Sequence, residues 1–84
     1  MAKFLITYDL NIPGQNYDSL FKAIESLGET RHGMQNAWFL KSNSTSSEIR
    51  DYLRKFIDSN DRLFVCETTG WASYNLEIAS WFKN

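Results

Sequence analysis

One α+β domain, with its elements in the order β-α-β-β-α-β, is the fold class the sequence predicts. Three observations lead there. Short runs rich in β-branched and aromatic residues, Phe4–Tyr8, Ala37–Leu40 and Leu63–Thr69, alternate with two stretches whose apolar residues recur at helical spacing. The chain has 84 residues, which suits a single domain spanning 1–84. The strands are apolar on both faces, as in a sheet covered from both sides.

The first strand, Phe4–Tyr8, places Phe4, Ile6 and Tyr8 on one face and Leu5 and Thr7 on the other. It closes on Asp9, and the Pro-Gly segment NIPGQN follows as a loop. Asn16 fits an N-cap and Asp18 sits in the first turn, where the helix dipole favours a negative charge. Tyr17, Leu20, Phe21, Ile24 and Leu27 then form one helical face, which Gly28 ends as a C′ residue. Thr30–Met34 and Ala37–Leu40 read as a pair of strands joined at Gln35-Asn36, with Asn36 suited to a left-handed turn position. Thr45 and Glu48 match the capping box. Ile49, Tyr52, Leu53, Phe56 and Ile57 give the second helix its apolar face, Asp51 and Lys55 form an i,i+4 pair on its wet side, and Asn60 follows as its C′ residue. Leu63–Thr69 is the last strand, broken at Gly70. The tail, 71–84, carries Ile78, Trp81 and Phe82 at near-helical spacing, so a short terminal helix is expected within Leu76–Phe82.

A single sheet with two helices in this order is the ferredoxin-like α+β arrangement, here with a short C-terminal extension. Its helices cover only one sheet face. The other face is also apolar, so the tail is expected to pack on it or on a partner subunit, and a homodimer is predicted.

Bulk composition narrows the function. The formal net charge is -1 and the pI is about 5.7, so no overall basic field attracts nucleic acid. One cysteine, Cys66, precludes an internal disulfide and any Cys-rich zinc site. The N-terminal apolar run meets Asp9 too soon for a signal segment or a membrane span, so a cytoplasmic protein is expected. Walker A, GxGxxG, GxSxG and HExxH patterns are absent.

Several stretches carry a family likeness: ITYDLN at 6–11, the Pro-Gly loop, LG at 27–28, AWFLK at 37–41, IRDYL at 49–53 and SNDRLFV at 59–65. Together they resemble the SinR-like family of small bacterial and phage proteins, a name unrelated to the transcriptional repressor. The likeness runs from Phe4 to about Trp81, and SNDRLFV is its most distinctive part. That family in turn looks like CRISPR-associated protein two, the small adaptation subunit, in size, strand order and a Tyr-Asp pair closing the first strand. The resemblance implies a ferredoxin-like dimer with metal-dependent nuclease activity acting on nucleic acid, and Asp9 is the position that matches the acidic residue tied to it. The chain departs from those relatives in one respect. They tend to carry basic residues in the first helix and the loop before it, whereas LNIPGQNYDSLFKAI has only Lys22.

Asp9 is thus the candidate catalytic residue and metal ligand. Mg2+ binds through one or two protein carboxylates and keeps several waters, so two Asp9 side chains across a dimer axis would suffice for it or another divalent cation. The competing role for Asp9 is structural, accepting backbone amides of the following loop as Asx residues do at strand ends. Tyr8 and Asn11 are candidate supports, against core and turn roles. Arg50 and Arg54, one helical turn apart, form a small basic stripe with Arg62 that could take nucleic acid, against an ordinary solvated face. His32 reads as a surface or edge residue, and Cys66 as a buried structural thiol. Glu67 is a cross-strand partner for Lys3 or Lys41. Trp38, Phe39, Phe64 and Trp71 could stack bases if exposed, though the basic-aromatic motif of RNA-recognition sheets is missing. The alternative function is a non-catalytic protein-interaction module.

Overall fold

The computed structural model describes residues 1–11 and 17–84. Among these residues it is an α+β fold with one four-stranded antiparallel sheet and three helices. The strands are β1 (Ala2–Asp9), β2 (Glu29–Met34), β3 (Ala37–Ser42) and β4 (Arg62–Glu67), in the spatial order β2-β3-β1-β4. Helix α1 (Asp18–Glu25) joins β1 to β2. Helix α2 (Ser46–Leu53) joins β3 to β4 and continues as a 3-10 turn over Arg54–Phe56. A five-residue helix, α3 (Ala79–Lys83), ends the chain.

Strand β1 lies between β3 and β4, and both faces of its apolar run are covered. Phe4, Ile6 and Tyr8 are buried toward the helices with Leu20, Ala23, Ile24, Trp38, Leu40, Ile49 and Leu53. Leu5 faces the other way, against a second cluster of Ala37, Phe39 and Phe82 flanked by Leu76, Ile78 and Trp81. The tail therefore covers the second face over β3 and the adjoining part of β1. Two lysines from the sheet hold it there: Lys3 Nζ donates to Lys83 O at 2.6 Å and Lys41 Nζ to Trp81 O at 2.6 Å. These are the terminal carbonyls of α3, which have no intrahelical donor and carry the negative end of the helix dipole. The Trp81 ring lies under the Arg31 guanidinium and the Lys41 ammonium, each 4.6 Å from its centroid.

Strands β1, β2 and β3 are longer than their apolar runs suggest, because the ladder continues through Lys3, Asp9, Glu29 and Lys41. Helix α2 begins with the expected capping box: Glu48 N donates to Thr45 Oγ1 at 3.2 Å, and Thr45 N to Glu48 Oε1 at 2.9 Å. Other expectations give way. Helix α1 ends at Glu25, and Gly28 lies beyond its C-cap at Ser26. A side chain at 28 would meet the Lys41 carbonyl oxygen at 2.4 Å, so close backbone approach is what requires glycine there. Asn36 turns without a left-handed backbone; among described non-glycine residues only Asn75 has positive φ. The β2–β3 ladder shifts register between Arg31 and Met34. Asp51 pairs with its neighbour Arg50 at 2.9 Å instead of with Lys55. The helix tightens to three residues per turn after Leu53, which takes Lys55 off the i+4 row and over the Tyr52 ring. The same early stop leaves Asn60 in a turn outside the helix rather than at its C′ position. Strand β4 ends at Glu67, and α3 starts at Ala79, later than its apolar spacing implied. The Pro-Gly loop and Asn16 lie outside the described residues.

Candidate functional site

Asp9 ends β1 with its side chain exposed, on the face away from α1 and α2. Directly across on β4 is Arg62, and one pair further in Thr7 lies across from Phe64. These residues frame an open hollow of about 180 Å³. No ion pair joins Asp9 to Arg62, and no hydrogen bond to the Asp9 carboxylate is found among the described residues. The hollow sits beyond the reach of the tail, and Phe64 in its wall is 60% exposed.

The two candidate supports are engaged elsewhere. Strand alternation turns Tyr8 toward the helices, where its hydroxyl accepts the Trp38 Nε1–H at 3.1 Å. Burial pushes the Tyr8 hydroxyl above its ordinary pKa, and the bond from Trp38 acts in the opposite direction. Asn11 reaches the α2–β4 loop: its backbone N–H donates to Asp61 Oδ1 at 2.8 Å and its Nδ2 to Asn60 O at 2.7 Å.

Asp61 is the residue that sequence reasoning missed. Its carboxylate accepts from the backbone of Asn11, from the backbone of Asp58 at 2.8 Å, and from the Tyr17 hydroxyl at 3.0 and 3.2 Å. One side chain thus ties the end of β1, the start of α1 and the loop before β4. Slight desolvation pushes its carboxyl up, but the three donors together hold it below the usual carboxylate range. The loop-anchoring role expected of Asp9 falls, among the described residues, to Asp61. The available signal was the polar turn SNDR, which marks an Asx residue but not the distant amides it binds.

Arg50 and Arg54 are brought together, but on the helix side of β4. With Ile57, Asp58, Ser59, Asp61 and Leu63 they line an open hollow of about 430 Å³. Neither joins Asp9, and Arg50 is engaged with Asp51. His32 is exposed, stacked on Trp38 with centroids 4.4 Å apart, and its Nε2 lies 3.1 Å from Gln35 O. Cys66 is half-buried on the second face, across from Leu5. Glu67 lies across from Phe4 and so points to the helix side, whereas Lys3 and Lys41 point to the other and cap α3. The expected pairing of Glu67 with either lysine is therefore ruled out by strand parity. Trp38 and Phe39 are buried and Trp71 packs against Phe82, which leaves Phe64 as the sheet aromatic open to solvent. A third hollow, of about 450 Å³, opens between the tail and the sheet beside Met34, Trp71 and Tyr74.

Among the described residues, no group of three or more His, Cys, Asp or Glu side chains could hold a metal ion. Nor is any helix among them long and apolar enough to cross a membrane. No protein-family model matches the chain, and no solved structure matches it.

Proposed function

We propose that the protein works as a homodimer of ferredoxin-like domains, related to the SinR-like proteins and through them to the small CRISPR adaptation subunit, and that it acts as an interaction module. The order β4-β1-β3-β2, antiparallel at every step, supports the ferredoxin-like reading, because it places β1 and β2 as the split halves of a β-α-β unit. The observation that carries the functional reading is Phe64. It is 60% exposed in mid-strand on the half of the sheet that the tail leaves open, and Met34, at the other end of the same cross-strand row, is 51% exposed. An exposed aromatic on a sheet face is the kind of residue that anchors an interface. Light scattering at increasing concentration tests this. The expected mass is twice the 9.8 kDa of one chain, and a mass of 9.8 kDa throughout sinks it.

A second reading, a divalent-metal-dependent nuclease, is favoured by one specific observation. The Asp9 carboxylate is exposed at a strand end and has no hydrogen-bond partner among the described residues, so it has no evident structural duty. Two copies would supply the carboxylates that Mg2+ needs. Purified protein would then cleave RNA or DNA only with Mg2+ or Mn2+, and Asp9→Asn would remove the cleavage without changing the melting temperature. Intact substrates under all of these conditions end the nuclease reading and leave the first one standing.

A further inference from the structure

The open half of the sheet carries two neighbouring cross-strand pairs, each built of opposites. Thr7 on β1 lies across from Phe64 on β4, small beside large. Asp9 on β1 lies across from Arg62 on β4, negative beside positive. All four point away from α1 and α2. The two charges form no ion pair with each other, and the Thr7 hydroxyl donates sideways to Asn36 O at 2.8 Å.

We propose that a second copy of this chain docks face to face on these four residues, about a two-fold axis running along the strands between β1 and β4. Such an axis lays β4 of one copy over β1 of the other. Phe64 of each copy then sits over Thr7 of its mate, and Arg62 of each sits over Asp9 of its mate. One rotation satisfies both pairs, because in each the β1 member is the complement of the β4 member. Packed sheets stand about 10 Å apart, a gap that an aromatic ring and an arginine can span. The offset of the axis toward the β4 edge also leaves room for both tails. Each tail stays on its own β1–β3 half, where Phe82 packs on Phe39, Ile78 on Gly33 and Trp81 beneath Arg31 and Lys41. The contact is small, so the dimer is of the weak, concentration-dependent kind.

This inference rests on the homodimer reading and gives Asp9 a partner in the second copy in place of a metal. Analytical ultracentrifugation of charge variants tests it, with circular dichroism melts to confirm that each variant folds. Asp9→Arg and Arg62→Asp each place like charges together twice in a symmetric dimer, so each weakens self-association by about a hundredfold. Mixed in equal amounts, these two variants form a heterodimer, because every contact across the axis is then attractive. Phe64→Ser weakens self-association independently of charge, and Arg62→Gln does so more mildly should Arg62→Asp not fold. Wild type that stays monomeric overturns both this inference and the homodimer reading. Wild type that dimerises while the charge variants dimerise equally well, or while their mixture stays monomeric, overturns this interface and leaves the homodimer reading intact. A dimer that EDTA dissolves and Arg62→Asp leaves unchanged also overturns it, in favour of a cation between the two Asp9 side chains.

Discussion

Asp61 and Asp9 are both strand-flanking aspartates, yet their surroundings assign them opposite duties. Asp61 gathers donors from three elements and is spent on structure; Asp9 gathers none among the described residues and faces solvent. The difference has a pH signature. The folded-state pKa of Asp61 lies below its ordinary value of 3.8, so the stabilisation from its carboxylate is complete above that value. It is lost as pH falls through the lowered folded value. At neutral pH, Asp61→Asn exchanges one acceptor oxygen for an amide that faces the Asp58 N–H. The expected loss is about 1 kcal/mol after allowance for the exposure of the site, or about 4–8 °C in melting temperature for a domain of this size. The gap between variant and wild type closes in melts taken at pH values well below 3.8; a gap that persists there means the carboxylate is not the cause. Little of this was legible in the sequence. Two of the three partners of Asp61 lie 50 and 44 residues away, and local turn chemistry, which reaches only Asp58, carries no information about them.

Elements set by neighbouring residues were readable, and those set from a distance were not. The capping box of α2 involves residues three apart, and the apolar faces of α1 and α2 recur within a few turns, so pattern alone located them. The end of α2 depends on a 3-10 turn that no spacing announced, and the expected Asp51–Lys55 pair failed with it. Helix α3 is the extreme case. At five residues it is too short to persist by itself. Besides the packing of Phe82, it is held by Lys3 and Lys41, which donate to its last carbonyls from 80 and 40 residues away in the sequence. Lys41→Met is accordingly expected to loosen α3 and little else. Hydrogen exchange reads this directly at the Phe82 amide, which donates to Ile78 O at 2.9 Å. Its exchange should quicken several-fold while amides of β1 and β3 stay protected. Unchanged exchange at Phe82 would mean that apolar packing alone holds the helix.

The whole molecule is a two-sided sheet with unequal covers. On one face two helices build a core around Phe4, Ile6 and Leu40, with ten buried residues among those described. On the other a 14-residue tail, 71–84, places one fully buried side chain, Phe82, onto Phe39 at 5.0 Å between ring centroids. The apolar run of β1 on both faces predicted that something must cover the second side, and the tail does so over β1 and β3 but stops short of Phe64. Because that cover hangs largely on Phe82, its removal should be costly. Phe82→Ala is expected to lose about 3–5 kcal/mol, the usual cost of emptying a buried aromatic site. A domain of this length has a total stability on the order of 4–13 kcal/mol, so the variant should sit close to unfolding at room temperature. Urea denaturation followed by far-ultraviolet circular dichroism measures the loss. A drop below about 1 kcal/mol, the scale of an ordinary surface change, would show that the helix-side core alone carries the fold. The tail would then be a surface attachment, and the covered half of the sheet would become available for docking along with the open half.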